Sequence, residues 1–195
     1  IALGKHNWIV RYTAGEIARQ LGDALAAPVI SYVPEGSVAP PQGHMLFPGT
    51  ISVSNATFAA VLEDAARSFK HHGFHTIVFL GDSGGNQETQ QAVAAKLSKE
   101  WAKDGVVVAS AGDYYTGLDA LDFVRRSGAG GAKPNAHAGY MDTSEMLAVH
   151  PEGVREGRMT GYAANDAATT GVGGDAAGAS GEAGRAIIQR RIEAG

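Results

Sequence analysis

The sequence predicts an α/β protein with a three-layer, doubly wound, mainly parallel sheet. Three observations predict it. Amphipathic helical stretches alternate with short β-rich runs. Two of those runs, 76–80 and 106–108, are continuously apolar, as strands covered on both faces are. The 195 residues, 44% apolar and 18% charged, suffice for one domain with a sizeable core and show no internal repeat or second domain.

In chain order, Thr13 reads as an N-cap with Glu16 three residues on, as in a capping box. Ile17, Leu21 and Leu25 follow at helical spacing, ending near Ala27-Pro28. Val29–Val33 reads as a short strand closed by Pro34. Residues 34–50 are rich in proline and glycine and read as a long ordered loop of the kind that carries function. Ser54 or Asn55 caps a helix whose stripe is Phe58, Val61, Leu62, Ala65 and Phe69, and Gly73 stops it. Strand 76–80 turns through 81–86 into a helix marked by Val93, Leu97 and Trp101. Strand 106–110 follows, then short helices at Leu118–Val124 and around Met146-Leu147. Residues 160–181 read as loop, and a closing helix over 184–194 points Ile187, Ile188 and Ile192 inward. Ligands of such sheets bind at the carboxyl ends of the strands, which places the site after 33, 80 and 110.

The net charge of −4 argues against a nucleic-acid partner. No apolar run approaches a membrane span. The absence of cysteine excludes disulfides, thiolate metal sites and cysteine nucleophiles. Ile1 is not a start methionine, and Ile1–Gly4 lacks the features of a signal peptide, so the chain reads as processed or trimmed. The compartment stays open: cytoplasmic by default, periplasmic where a signal peptide lies upstream.

Four segments could carry chemistry. In Gly81–Gln87, Asp82 can bind a divalent cation or cap the next helix, and Ser83, Asn86 and the glycine N–H groups can hold a substrate carbonyl. This is neither a Walker A loop nor a GxSxG elbow. In Ala136–Ser144, His137 is either a general acid/base or a surface histidine. Asp142 orients it, binds metal or caps a helix. In Gly4-Lys5-His6-Asn7, His6 suits a metal or anion, or belongs to a disordered terminus. In the long loop, His44 lines a substrate pocket or satisfies the loop backbone. His71, His72 and His75 read as a solvated helix end, His150 shows no partner, and Glu63 and Asp64 read as a solvated helix face.

Taken together these segments resemble the creatininase (creatinine amidohydrolase) family over nearly the whole chain. Phe47–Val53 is similar to its Phe-Pro-Gly-Thr-Ile-Ser segment. His71–Phe74, strand 76–80 and Gly84-Gly85-Asn86 resemble its passage ending in Asn-Gly-His-Gly-Gly-Asn. His137-Ala138-Gly139 with Asp142-Thr143-Ser144 resembles His-Ala-Gly-Glu-x-Glu-Thr-Ser. Thr170–Asp175 resembles Thr-Gly-Val-Trp-Gly-Asp. The resemblance implies a single domain over 1–195, without its N-terminal strand. It implies a hydrolase of amide bonds in small, often cyclic substrates, with one or two divalent metals (zinc or manganese), and a homo-oligomer, often a hexamer. By resemblance His137 shuttles the proton to the leaving nitrogen.

The family's metal-binding Asp maps to about His6 and its metal-binding His to Ser83, beside Asp82. The expectation is therefore that His6 and Asp82 share a metal, completed by an acidic residue upstream of this chain. His137 and Asp142 are then the catalytic pair, and His44, Ser83, Asn86 and Tyr140 contact substrate. Tyr140 stands where the family has an acid, which implies a substrate other than creatinine. Two other readings are a creatininase-fold binding or structural protein without the metal site, and a serine hydrolase using Ser83 with His137.

Overall fold

A computed structural model describes residues 1–159 and 170–195. In chain order its elements are α1 (Lys5–Leu21), α2 (Asn55–His71), β1 (Thr76–Phe79), α3 (Gly84–Glu100), β2 (Val107–Ser110), α4 (Gly112–Thr116), α5 (Leu118–Ser127), α6 (Tyr140–Val149) and α7 (Gly181–Ala194). The chain divides into two compact units: Ile1–Val29 with Thr116–Gly195, and Ile30–Tyr115. Among the described residues no helix is long and apolar enough to cross a membrane.

The second unit holds the sheet. β1 and β2 pair in parallel, Thr76 opposite Val107 through Phe79 opposite Ser110, with α3 as the connection between them, as parallel pairing requires. The core gathers Phe58, Leu62 and Ala66 of α2, Val93, Ala94 and Leu97 of α3, Trp101, and the inward strand residues Ile77, Phe79 and Val108. Ser54 caps α2 by accepting the Thr57 N–H at 3.1 Å, and Gly73, at φ 89°, follows its end. Both features agree with the sequence reading.

Two expectations about this sheet are corrected. Val29–Val33 forms no strand; Ile30 and Val33 instead pack half-buried against the core, with the Val53 N–H donating to Val33 O at 3.4 Å. The apolar runs are also not covered on both faces. Val78 and Val107 are 52% and 54% exposed, because α2 and α3 pack on the face carrying Ile77 and Val108. Continuous apolarity marked the strands but overstated their burial.

In the first unit, α5, α6 and α7 share a core of Leu121, Val124, Tyr140, Met141 and Ile187, and α1 adds Ile9 and Thr13 as fully buried residues. The predicted start of α1 was wrong. Thr13 lies inside the helix, its hydroxyl donating back to Ile9 O at 3.0 Å, so it is not an N-cap. The helix begins nine residues earlier, after Gly4 in the left-handed region at φ 69°; Leu21 and Leu25 are exposed. The helix expected around Met146-Leu147 is α6, which begins at Tyr140 and includes Thr143 and Ser144. The closing helix buries Ile187, Ile188 and Ile192 as predicted but starts three residues earlier, at Gly181, with Ser180 accepting the Ala183 N–H at 3.1 Å. The loop expected at 160–181 lies outside the described residues over 160–169.

α6 and α7 approach closely enough that a Cβ on Gly184 would stand 1.8 Å from Ser144 O. Only glycine permits that spacing. The same interface buries an ion pair, Arg191 Nε to Glu145 Oε1 at 2.6 Å, with the Glu145 side chain 1% exposed.

On the surface of the second unit, Arg67 grips Glu100 with two hydrogen bonds of 2.7 and 2.9 Å. Lys96 pairs with Glu63, and Lys70 with Asp104, each at 2.6 Å. The Arg67 hydrogen bond holds the Glu100 carboxyl below its ordinary range.

Gly184→Val should destabilise the chain by about 2 kcal/mol or more through overpacking. Gly157→Ala, where a Cβ meets nothing within 4 Å, should change stability by less than about 0.5 kcal/mol; urea unfolding checks both. A carboxyl whose folded pKa is depressed contributes stability above its unfolded value and loses it as pH falls. Glu100→Gln should therefore be slightly less stable than the parent near neutral pH. The gap should close below about pH 4, read as melting temperature against pH.

Candidate functional site

In the second unit a histidine lies beside a carboxylate held by the chain; in the first, a held carboxylate anchors the turn that carries a histidine. In the second unit the chain leaves β1 through Gly81, Asp82 and Ser83 and enters α3. Asp82, Ser83 and Asn86 are all buried. Ser83 sits at the N-cap with extended backbone but makes no side-chain cap bond. Its hydroxyl donates instead to Glu35 Oε1 at 3.3 Å. The other oxygen, Glu35 Oε2, lies 2.5 Å from His44 Nδ1.

The loop backbone fixes this arrangement. The Glu35 N–H donates to Ser52 Oγ at 3.0 Å, Ser52 Oγ donates to Gly36 O at 2.8 Å, and the His44 N–H donates to Glu35 O at 2.9 Å. His44 lies in a 3-10 turn over Gly43–Leu46. A Cβ on Gly85 would stand 2.3 Å from Pro34 O, so the loop lies directly on the first turn of α3. Gly84 is similarly crowded by the Tyr115 hydroxyl. The Gln87 amide donates to Gly81 O and Ser83 O, both at 3.0 Å. Among the described residues Asn86 Oδ1, Gln90 Oε1 and Ser110 Oγ are buried without a hydrogen-bond partner, which gathers unsatisfied polar atoms at this end of the sheet.

In the first unit the acid is Asp142, on the first turn of α6. Its Oδ2 accepts from Lys5 Nζ at 2.8 Å and from the Ala138 N–H at 2.9 Å. Ala138 holds φ 53°, a conformation an alanine keeps only when its surroundings impose it. The Thr143 hydroxyl donates to Ala138 O at 3.3 Å. The Gly173 and Gly174 N–H groups donate to His137 O at 2.9 and 3.1 Å. The His137 backbone is thus clamped while its residue stays exposed. Asp142 anchors the turn through Ala138 and Lys5, a cap-like role the sequence had left open.

The remaining candidates fall as follows. His6 lies on the first turn of α1, in the first unit, and Asp82 after β1, in the second. Tyr140 packs into the first unit's apolar core. His71, His72 and His75 are exposed at a helix end, as expected. His150, which showed no partner in the sequence, stacks on Trp8 with ring centroids 3.9 Å apart and pairs with Glu152 at 3.0 Å. Sequence reasoning missed Glu35 and Lys5. The signal for Glu35 was an acid in a Pro-Glu-Gly turn of the loop that also carries His44; for Lys5 it was a cation adjoining His6. Among the described residues no group of three or more His, Cys, Asp or Glu is placed to hold a metal ion.

An α/β chain with parallel strands, a glycine-bounded turn after the first of them, and a clamped His-Ala-Gly turn at a helix start matches one family along its length. The profile of Creatininase, described as creatinine amidohydrolase, matches residues 1–194, and the chain belongs to that family. It is 30% identical over 151 residues to the mycofactocin precursor peptide peptidase of Mycolicibacterium smegmatis, covering 75% of this chain and 50% of that protein. The chain thus spans half the length of the curated relative it matches. A crystal structure of creatinine amidohydrolase (creatininase) superposes with a TM-score of 0.74 at 23% identity, covering 98% of this chain and 80% of that one. A Zn-Zn form of a mutant creatininase gives the same values. A Mn form of creatininase gives 0.71 at 24% identity, covering 99% and 84%. These structures establish a creatininase-like fold.

Asp142→Asn keeps an acceptor for the Ala138 N–H but removes the charge facing Lys5. It should cost about 1–3 kcal/mol. Lys5→Met in the same background should cost less than it does alone, since the two act through one contact. Denaturant midpoints of the four proteins check this.

Proposed function

We propose that this protein hydrolyses a C–N amide bond in a small substrate. The observation that carries the reading is the His137-Ala138-Gly139 turn. Its backbone is locked by Asp142 and by Gly173-Gly174, and its histidine residue is exposed. A solvent-reaching histidine on a fixed backbone suits proton transfer near neutral pH. Amide hydrolysis needs a proton delivered to a poor leaving nitrogen, and His137 is the residue proposed to deliver it. Asp142 positions that turn. In the second unit His44, Ser83 and Asn86 are proposed as substrate contacts. Asn86 brings a buried acceptor in need of a donor, which an amide N–H supplies. Tyr140 acts through packing.

The zinc and manganese named for the structural neighbours make a divalent metal part of the proposal, with His6 and Asp82 as candidate ligand residues. A metal would supply Lewis acidity and an activated water. The described residues do not form a complete metal centre, so the roles assigned above belong to side chains. Ser83 donates to a carboxylate rather than to an imidazole, which favours a positioning role for it over that of a nucleophile. The proposed substrate differs from creatinine, and the peptidase relative makes short peptides candidates beside cyclic amides.

The test uses full-length protein incubated with zinc or manganese, freed of excess metal, and offered a panel of cyclic amides and short peptides. About one metal or more per chain is expected, with hydrolysis that a chelator abolishes. His137→Ala should lower kcat by roughly 10²–10⁴-fold, and Ser83→Ala should retain measurable turnover. Less than about half an equivalent of metal, with no amide cleaved, would overturn this reading in favour of a non-catalytic creatininase-fold binding protein.

A further inference from the structure

We infer that Glu35 is a positioning residue that sets the tautomer of His44 and couples it to Ser83. The inference deepens the role proposed for His44 above and rests on that reading for its effect on turnover alone.

Both carboxylate oxygens of Glu35 are committed, Oε2 to His44 Nδ1 at 2.5 Å and Oε1 to the Ser83 hydroxyl at 3.3 Å. An ionised carboxylate only accepts hydrogen bonds. At that separation Nδ1 must therefore carry the proton. In the neutral ring Nε2 is then the acceptor, because the partner of one nitrogen fixes the state of the other. The backbone reinforces the choice: Glu35 and His44 are joined again through the His44 N–H and Glu35 O, and Ser52 holds the Glu35 N–H. The exposures divide the labour. The Glu35 side chain is 19% exposed and that of His44 45%, so a ligand reaches the imidazole while the carboxylate acts through it. A histidine preset with Nε2 as acceptor recognises an N–H of an amide or takes a proton from water; the opposite tautomer would do neither.

Full-length protein labelled with ¹⁵N-histidine tests this by long-range ¹H–¹⁵N spectra at a pH well above the ordinary histidine range. His44→Asn assigns the signal. In the parent protein the His44 Nδ1 shift should be that of a protonated ring nitrogen and the Nε2 shift that of an unprotonated one. Glu35→Gln should preserve the pattern, since the amide oxygen accepts the same bond. Glu35→Leu should collapse or reverse it while the His71 and His72 signals stay in place. A parent protein with the proton on Nε2 overturns the inference even if Glu35→Leu fails to fold. So does a Glu35→Leu spectrum in which His44 is unchanged.

On whichever amide of the panel is cleaved, Glu35→Leu should lower kcat by roughly tenfold or more, and Glu35→Gln should recover most of it. Equal losses in the two variants would reject the positioning role. If no amide is cleaved, the functional reading fails while the tautomer measurement still decides this one.

Discussion

A carboxylate taken out of water has to be met by a cation or by a set of N–H and O–H donors, and α6 carries two of them. Asp142 meets Lys5 and the Ala138 N–H; Glu145 meets Arg191. Within the first unit those pairings tie α6 to α1 and α7 and set the turn that bears His137. Buried ion pairs are poor sources of net stability, because desolvation offsets most of the attraction. Their value here is in register: each acid is satisfied only when one particular residue of another element sits opposite it. The apolar core of α5, α6 and α7 supplies the driving force, and the acids select which packing uses it.

The second unit solves the same problem with different parts. Glu35 is met by an imidazole and a hydroxyl. Weaker donors leave the acid's influence available to its partners. A carboxylate neutralised by a lysine fixes a loop, whereas one shared by a histidine and a serine also decides where their protons lie. That difference separates the structural part played by Asp142 from the part assigned to Glu35, and it follows from donor chemistry.

Much of the fold was legible in the sequence because it depends on local pattern. The Phe58 and Leu62 part of the α2 stripe with its Ser54 cap, strands 76–79 and 107–110, the long loop and the inward isoleucines of α7 follow from periodicity and capping, whereas Val61, placed in the same stripe, is exposed. The failures have physical causes. The buried Thr13 was mistaken for a cap because a threonine that back-bonds within a helix looks the same in sequence as one that begins it. Val29–Val33 has strand composition, but strand identity needs a partner, and pairing is not written locally. The segments bearing His44, Ser83 and His137 were legible from motif; the acids that organise them were not all so. Asp142 was seen because it stands in a recognised motif, while Glu35 and Lys5 gain their meaning from contacts 48 and 137 residues away in sequence, to Ser83 and Asp142.

The glycines show how a motif can be read correctly in place and wrongly in cause. Clusters after a strand suggest a cradle for a ligand, and Gly84-Gly85 sits where such a cradle would be, while Gly173-Gly174 lies against the His137 turn. Yet the space a Cβ would need at Gly85 is filled by Pro34 O, and at Gly174 by Gly139. Both pairs let one stretch of backbone lie against another, and in each case the stretch laid down adjoins a histidine or the acid that orients it. A side chain added at Gly85 would push the Glu35 loop off α3 and separate Glu35 from Ser83. One at Gly174 would lift the segment that holds His137 O. The glycine-rich motifs therefore serve the proposed chemistry at one remove: they bring the backbones close enough for the proposed acid–base groups to be placed.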